Sequence, residues 1–100
     1  RRYIIMLVQA PVKKGDTVSM KLITGEEVMT RIDDIKDDAY VCHKPLSLLQ
    51  SPQGMVLGQF MITMDQDADI TLPKTSVLCF AKPHAEMASK YTEATTGIVT

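Results

Sequence analysis

Thr17-Val18-Ser19-Met20-Lys21-Leu22-Ile23-Thr24-Gly25-Glu26-Glu27-Val28-Met29-Thr30-Arg31-Ile32-Asp33-Asp34-Ile35 is the stretch that decides the fold class. Val18, Met20 and Leu22 alternate with Thr17, Ser19 and Lys21, the period of two expected of a half-buried strand. Thr24-Gly25-Glu26 then offers a turn, with glycine free to take positive φ. Glu27 to Ile35 is the return strand, with Val28 and Ile32 directed inward. A hairpin of this kind needs further strands to cover its apolar face, so the rest of the chain is read for them.

Downstream, Asp33-Asp34-Ile35-Lys36-Asp37-Asp38 closes the hairpin with a charged turn, and Ala39 to Leu49 forms a third strand broken at Lys44-Pro45. Proline cannot donate to a ladder, so Pro45 marks an edge or a bulge. Ser51-Pro52-Gln53-Gly54 is a turn. Met55 to Met64 reads as a long apolar strand with Val56, Gly58, Phe60, Ile62 and Met64 on one face. Asp65 to Asp69 is an acidic loop, Ile70-Thr71-Leu72 a short extended piece, Pro73-Lys74-Thr75 a turn, and Ser76 to Ala81 the last strand. Upstream, Tyr3-Ile4-Ile5-Met6-Leu7-Val8 predicts an additional N-terminal strand, ended by Ala10-Pro11. After Pro83 the period changes: His84, Met87, Ala88, Tyr91 and Ala94 or Thr95 share one helical face, which predicts an amphipathic helix over about 83–94. The expectation is a mainly β, single-domain chain over 1–100, with a small barrel over about 15–82 and a C-terminal helix.

The totals agree with one small core. The chain has 100 residues, of which 45% are hydrophobic, and disordered chains are poorer in apolar residues than this. Eleven basic residues against twelve acidic ones give a formal charge of −1, so no broad basic field for nucleic acid exists, although a local patch is compatible with that balance. No apolar run approaches the roughly 18 residues of a membrane helix, no signal-peptide cleavage site follows Val8, and a cytoplasmic location is expected. Cys42 and Cys79 form no CxxC and are expected to be reduced thiols.

Each chemistry-bearing cluster has a plainer explanation. Asp65, Asp67 and Asp69 have the spacing that opens an EF-hand loop, but the positions that need glycine and glutamate hold Ile70 and Ser76. Asp33, Asp34, Asp37 and Asp38 crowd one turn, as solvated hairpin tips commonly do, and give only weak grounds for a hydrolase. Cys42 and His43 are strand neighbours that point to opposite faces, and neither His43 nor His84 has metal-ligand company at zinc spacing. No catalytic residue, cofactor or metal is therefore expected. Lys36, Tyr40, His43, Lys44, Lys74 and Lys82 are the groups suited to single-stranded nucleic acid, through ring stacking and charge; they are too few in one subunit and would add by avidity in an oligomer.

The segment Gly15 to Val41 resembles the first Sm motif through Gly15, Val18, Leu22, Gly25, Val28, Ile32, Ile35 and Val41. Leu72-Pro73-Lys74-Thr75-Ser76-Val77 sits where the second Sm motif lies. The resemblance is closer to small Sm-like proteins of phages and cyanophages, with Leu22 to Val28, the Lys44-Pro45 break and the closing Tyr91 to Val99 region in common; it covers about Gly15 to Val99. It implies a strongly bent five-stranded antiparallel barrel, here with an extra N-terminal strand and the helix after the barrel rather than before it. It implies a homo-oligomeric ring in which the fourth family strand of one subunit pairs with the fifth of the next, with Phe60, Ile62, Val77, Leu78 and Phe80 as interface candidates. It implies binding of single-stranded RNA near the pore, with Lys36, Tyr40, Lys74 and Thr75 as candidate contacts, and in a phage setting a location in the host cytoplasm. Lys36 and Tyr40 replace the usual Asp and Asn, and Pro73-Lys74 the usual Arg-Gly, so the familiar uridine pocket is not reproduced. The expected function is a non-catalytic ring subunit that binds RNA or assists RNA–protein assembly; the alternative is a protein-interaction scaffold of the same fold.

Overall fold

The computed structural model describes residues 12–65 and 67–96; the expected strand Tyr3–Val8 lies outside them. The chain is mainly β, with strands β1 (Thr17–Leu22), β2 (Glu27–Ile35), β3 (Ala39–Ser51), β4 (Gly54–Gln59), β5 (Asp69–Pro73) and β6 (Val77–Ala81), followed by helix α1 (Ala85–Thr96). All form one antiparallel sheet in the order β4-β3-β2-β1-β6, with β5 also on β3. The hairpin β1–β2 pairs Thr17 with Arg31 and Met20 with Val28. Its loop turns at Gly25, whose φ of 106° suits glycine, and the Gly25 N–H donates to the Leu22 carbonyl at 2.9 Å.

Strand β3 is the spine. One of its edges carries β2 along most of its length; the other carries β5 opposite Ala39–His43 and then β4 opposite Leu46–Ser51. The two outer partners lie end to end, and Lys44-Pro45 falls between them. There, two β3 residues face the single Thr30 of β2, between the pairs Met29–Leu46 and Arg31–His43. This is a β-bulge with Lys44 at φ 50°, which explains how a proline sits inside a central strand. A second irregularity leaves Asp33 as the extra residue between Ile32 and Asp34.

The sheet is strongly curved. A three-residue 3₁₀ turn, Lys74–Ser76, joins β5 to β6. Its Lys74 N–H donates to the Asp38 carbonyl at 2.9 Å, and its Ser76 carbonyl accepts from the Ile23 N–H at 2.9 Å. Those partners belong to the loops at opposite ends of β2. A straight β2 would hold them about 30 Å apart at roughly 3.3 Å per residue, whereas three residues span at most about 11 Å. The bulges supply much of the bend. Among the described residues no ladder joins β5 to β6, so the sheet is open at that seam.

Val18, Met20, Leu22, Val28, Ile32 and Cys42 form the core on the concave face, with Ile35, Tyr40, Phe60, Leu72, Val77 and Phe80 packed around it. The alternation read in β1 and β2 is therefore the core pattern. The expected strand over 55–64 is shorter: the ladder stops at Gln59, and residues 60–64 bend, which lets Phe60 turn back onto the core. Helix α1 runs two residues beyond the expected end, and Tyr91 is its buried anchor. The Tyr91 hydroxyl accepts from the Arg31 N–H at 3.1 Å and faces the carbonyls of His43 at 3.1 Å and Lys44 at 2.9 Å. The helix is thus fastened to the backbone at the bulge. No described helix is long and apolar enough to cross a membrane.

Candidate functional site

The curvature brings the start of β3 against β6. The Tyr40 ring meets Phe80 edge-on, with centroids 5.0 Å apart at 84°, and the Lys74 ammonium lies 5.2 Å from the Tyr40 centroid. The backbone bond from Lys74 to Asp38 fixes the 3₁₀ turn beside the β2–β3 loop, so this arrangement is built by the ladder and not by side chains alone. Of the four nucleic-acid candidates, Tyr40 and Lys74 are in contact. Thr75 is exposed on the same turn, and Lys36 is on the adjacent loop, where its ammonium is 3.9 Å from Asp34 Oδ2. Both members of that pair are about half exposed, so it restrains Lys36 little. The corner therefore carries a half-buried ring, a cation over it and a second lysine on the neighbouring loop. A planar base stacked on aromatic and cationic groups, with its phosphate near lysine, is the ligand such a corner suits.

The five interface candidates separate into two groups. Phe60, Val77 and Phe80 are partly buried against the core of their own chain. Ile62 is 89% exposed and Leu78 66% exposed. Leu78 lies on β6; among the described residues β6 pairs only with β1, and β5 only with β3. The sequence of β6, Val77-Leu78-Cys79-Phe80-Ala81, has none of the charges or prolines that usually protect a bare edge.

A further apolar surface was not singled out from sequence. Beyond Ser47, β3 and β4 form a two-stranded arm on which Leu49, Met55 and Val56 are 51%, 41% and 44% exposed, with Met61 and Ile62 exposed at its base. From Pro45 to Met64 there is no ionisable side chain. That run of uncharged sequence was the available signal.

The Asp-rich clusters do not converge as groups. The Asp65 carboxylate accepts from the Asp67 N–H, and Asp67 lies 3.6 Å from the Lys44 ammonium, which also donates to the Thr95 carbonyl at 2.6 Å. Asp33 pairs with Arg31, and Asp34 accepts from the Ile35 N–H. Cys42 and His43 do face opposite ways: Cys42 is in the core, and burial pushes its thiol up to about 11, so it remains protonated at neutral pH. Cys79 is free and exposed. The His43 ring is hydrogen-bonded to Asp69, with Asp33 beside it. Sequence spacing could not give this set, since its members come from three strands. No protein-family model matches the chain, and no curated protein matches it.

Proposed function

We propose that the chain is a non-catalytic Sm-like ring subunit that binds single-stranded RNA at the Tyr40–Lys74 corner. The observation that carries this reading is that corner itself: a ring–cation stack that borders two loops, held by the Lys74–Asp38 backbone bond. Three features support the Sm-type barrel within it. Strands β6-β1-β2-β3-β5 follow the order that a five-stranded Sm barrel requires, β2 is strongly curved, and a short 3₁₀ turn links the last two strands. Among the described residues β5 and β6 each have one edge without a partner strand, and pairing β5 of one subunit with β6 of the next would remove both from water and repeat the corner around a pore.

The test uses the assembled protein. Light scattering at micromolar concentration is expected to give an oligomer, and filter binding at low salt to retain short uridine-rich or adenine-rich RNA. Tyr40→Ala is expected to weaken retention about 5- to 100-fold, the range of one lost base stack, and Lys74→Ala to reduce its salt dependence. An assembled ring that retains no RNA at low salt refutes RNA binding. The uncharged arm would then favour the second reading, a protein-interaction scaffold of the same fold, because its exposed Leu49, Met55, Val56 and Ile62 suit an apolar partner surface. A monomer removes the ring from both readings.

A further inference from the structure

Away from the Tyr40–Lys74 corner, on the outward face of the sheet, three side chains from three adjacent strands converge. The β3–β5 ladder sets His43 opposite Asp69, and the β2–β3 ladder sets His43 opposite Arg31. Asp33, the extra residue of the second bulge, completes the group from β2. One ligand-capable atom of each of Asp33, His43 and Asp69 lies within 4.8 Å of the other two, and His43 Nδ1 is 2.6 Å from Asp69 Oδ1.

We propose that Asp33, His43 and Asp69 form a site for a first-row divalent transition ion, with zinc the best fit. The donor set chooses the class. An imidazole nitrogen favours zinc, iron, nickel or copper over magnesium and calcium, and two carboxylates supply the oxygen ligands. Three protein ligands with water in the fourth position make an open zinc site. The spacing suits it as well: donors about 2.0–2.1 Å from a tetrahedral ion lie about 3.3 Å from each other. His43 and Asp69 are already nearer than that, and Asp33, with a side chain 41% exposed, has room to close in. The contact to the Asp69 carboxylate is made by a proton on Nδ1; an ion taking the Nδ1 lone pair displaces that proton and leaves the ring neutral with its proton on Nε2.

Charge also favours an ion. Two carboxylates share this small face, and the cation beside them is Arg31, which reaches Asp33 at 3.4 Å through a side chain 46% exposed. Arg31 is therefore a weak, displaceable counter-ion. The nearby Lys44 donates to the Thr95 carbonyl and lies 3.6 Å from Asp67, on the loop leading to Asp69. The EF-hand-like spacing of Asp65, Asp67 and Asp69 thus has a different meaning: only Asp69 belongs to the site, and its partners are distant in sequence.

Cobalt as a spectroscopic probe, displaced by zinc, tests this on the full chain. The expected result is one submillimolar cobalt ion per chain with visible absorption of a four- or five-coordinate centre and without thiolate charge-transfer bands. His43→Gln, Asp69→Asn and Asp33→Asn should each weaken uptake about tenfold or more. Arg31→Ala should tighten it, and His84→Ala, which removes the other histidine, should leave it unchanged. Far-UV circular dichroism checks that each variant is folded, and the conservative Asp→Asn changes serve if the His43 variant is not. The proposal is overturned if the folded wild-type chain takes up no ion at submillimolar concentration, if uptake is unaltered in the Asp69 and His43 variants, or if it depends on His84 or a cysteine.

Discussion

The two halves of β3 are both strand and have opposite fates. Ala39 to His43 is flanked by β2 and β5, and its Ala39 and Cys42 are 7% and 2% exposed. Leu46 to Ser51 runs out alongside β4, and its Leu49 is 51% exposed. The Lys44-Pro45 bulge separates them. Alternating apolar residues thus specify a strand in both halves, but burial depends on whether the strand crosses the curved body or leaves it. A two-stranded ribbon has marginal stability in water on its own, so the arm relies on the body at its base and on whatever covers its apolar surface.

The sharpest way to break this comparison is to delete the same kind of side chain from each side. Ile32 is fully buried in the body, and Ile32→Ala is expected to cost about 2–5 kcal/mol in urea unfolding, a large share of a small domain's stability. Leu49→Ala on a bare arm should change it by about 0.5 kcal/mol or less. A larger Leu49 effect that grows with protein concentration would mean that a second subunit covers the arm. Gly58 gives the arm some internal packing, since a Cβ there would lie 2.9 Å from Leu49 Cδ1.

The next test concerns the boundary between the halves. The Tyr91 hydroxyl serves the Arg31 N–H and faces the Lys44 carbonyl at the bulge, while the His43 carbonyl also accepts from the buried Thr30 hydroxyl at 3.0 Å. Tyr91→Phe keeps the ring and orphans the groups that depend on the hydroxyl. The expected loss is about 1–3 kcal/mol, read as a fall in Tm of about 4–8 °C for each kcal/mol. A loss near zero would show that water replaces the hydroxyl and that the helix does not stabilise the bulge.

The legible and illegible parts of the chain divide along the same line. The hairpin Thr17–Ile35 was readable because period two, a glycine turn and one buried face all agree there. The helix was readable from its change of period and from Tyr91 on its apolar face. Pro45 signalled an irregularity, and the ladder identifies it as a bulge rather than an edge. The end of β4 at Gln59 was not readable, because Phe60, Ile62 and Met64 continue the alternation while the chain bends to return Phe60 to the core. At the candidate sites, Tyr40 and Lys74 could be named individually, but their contact depends on the curvature of β2. The Asp33–His43–Asp69 group depends on register across three strands, which no local spacing encodes.

The smallest expected effect distinguishes the halves by pH. From Pro45 to Met64 nothing ionises, so alkaline pH acts on the body and not on the arm. Burial is the main cause that raises the Cys42 thiol from 9.0 to about 11, and burial likewise raises the Tyr91 phenol from 10.0 to about 12. In both groups the folded value lies above the unfolded one. The unfolded chain therefore releases these protons first as pH rises, and the stability tied to the protonated forms is intact below about pH 9 and lost as pH climbs through 9 toward 12. Cys42 titrates earlier and should account for about 1 kcal/mol of lost stability between about pH 8 and pH 10. Cys42→Ala lowers stability at every pH through its cavity, but it should flatten this slope, and the slope is what the experiment reads. Urea unfolding across that range that finds the same slope in wild type and Cys42→Ala would mean that the thiol reaches water through an opening of the body, and that the body half of β3 is less closed than its burial implies.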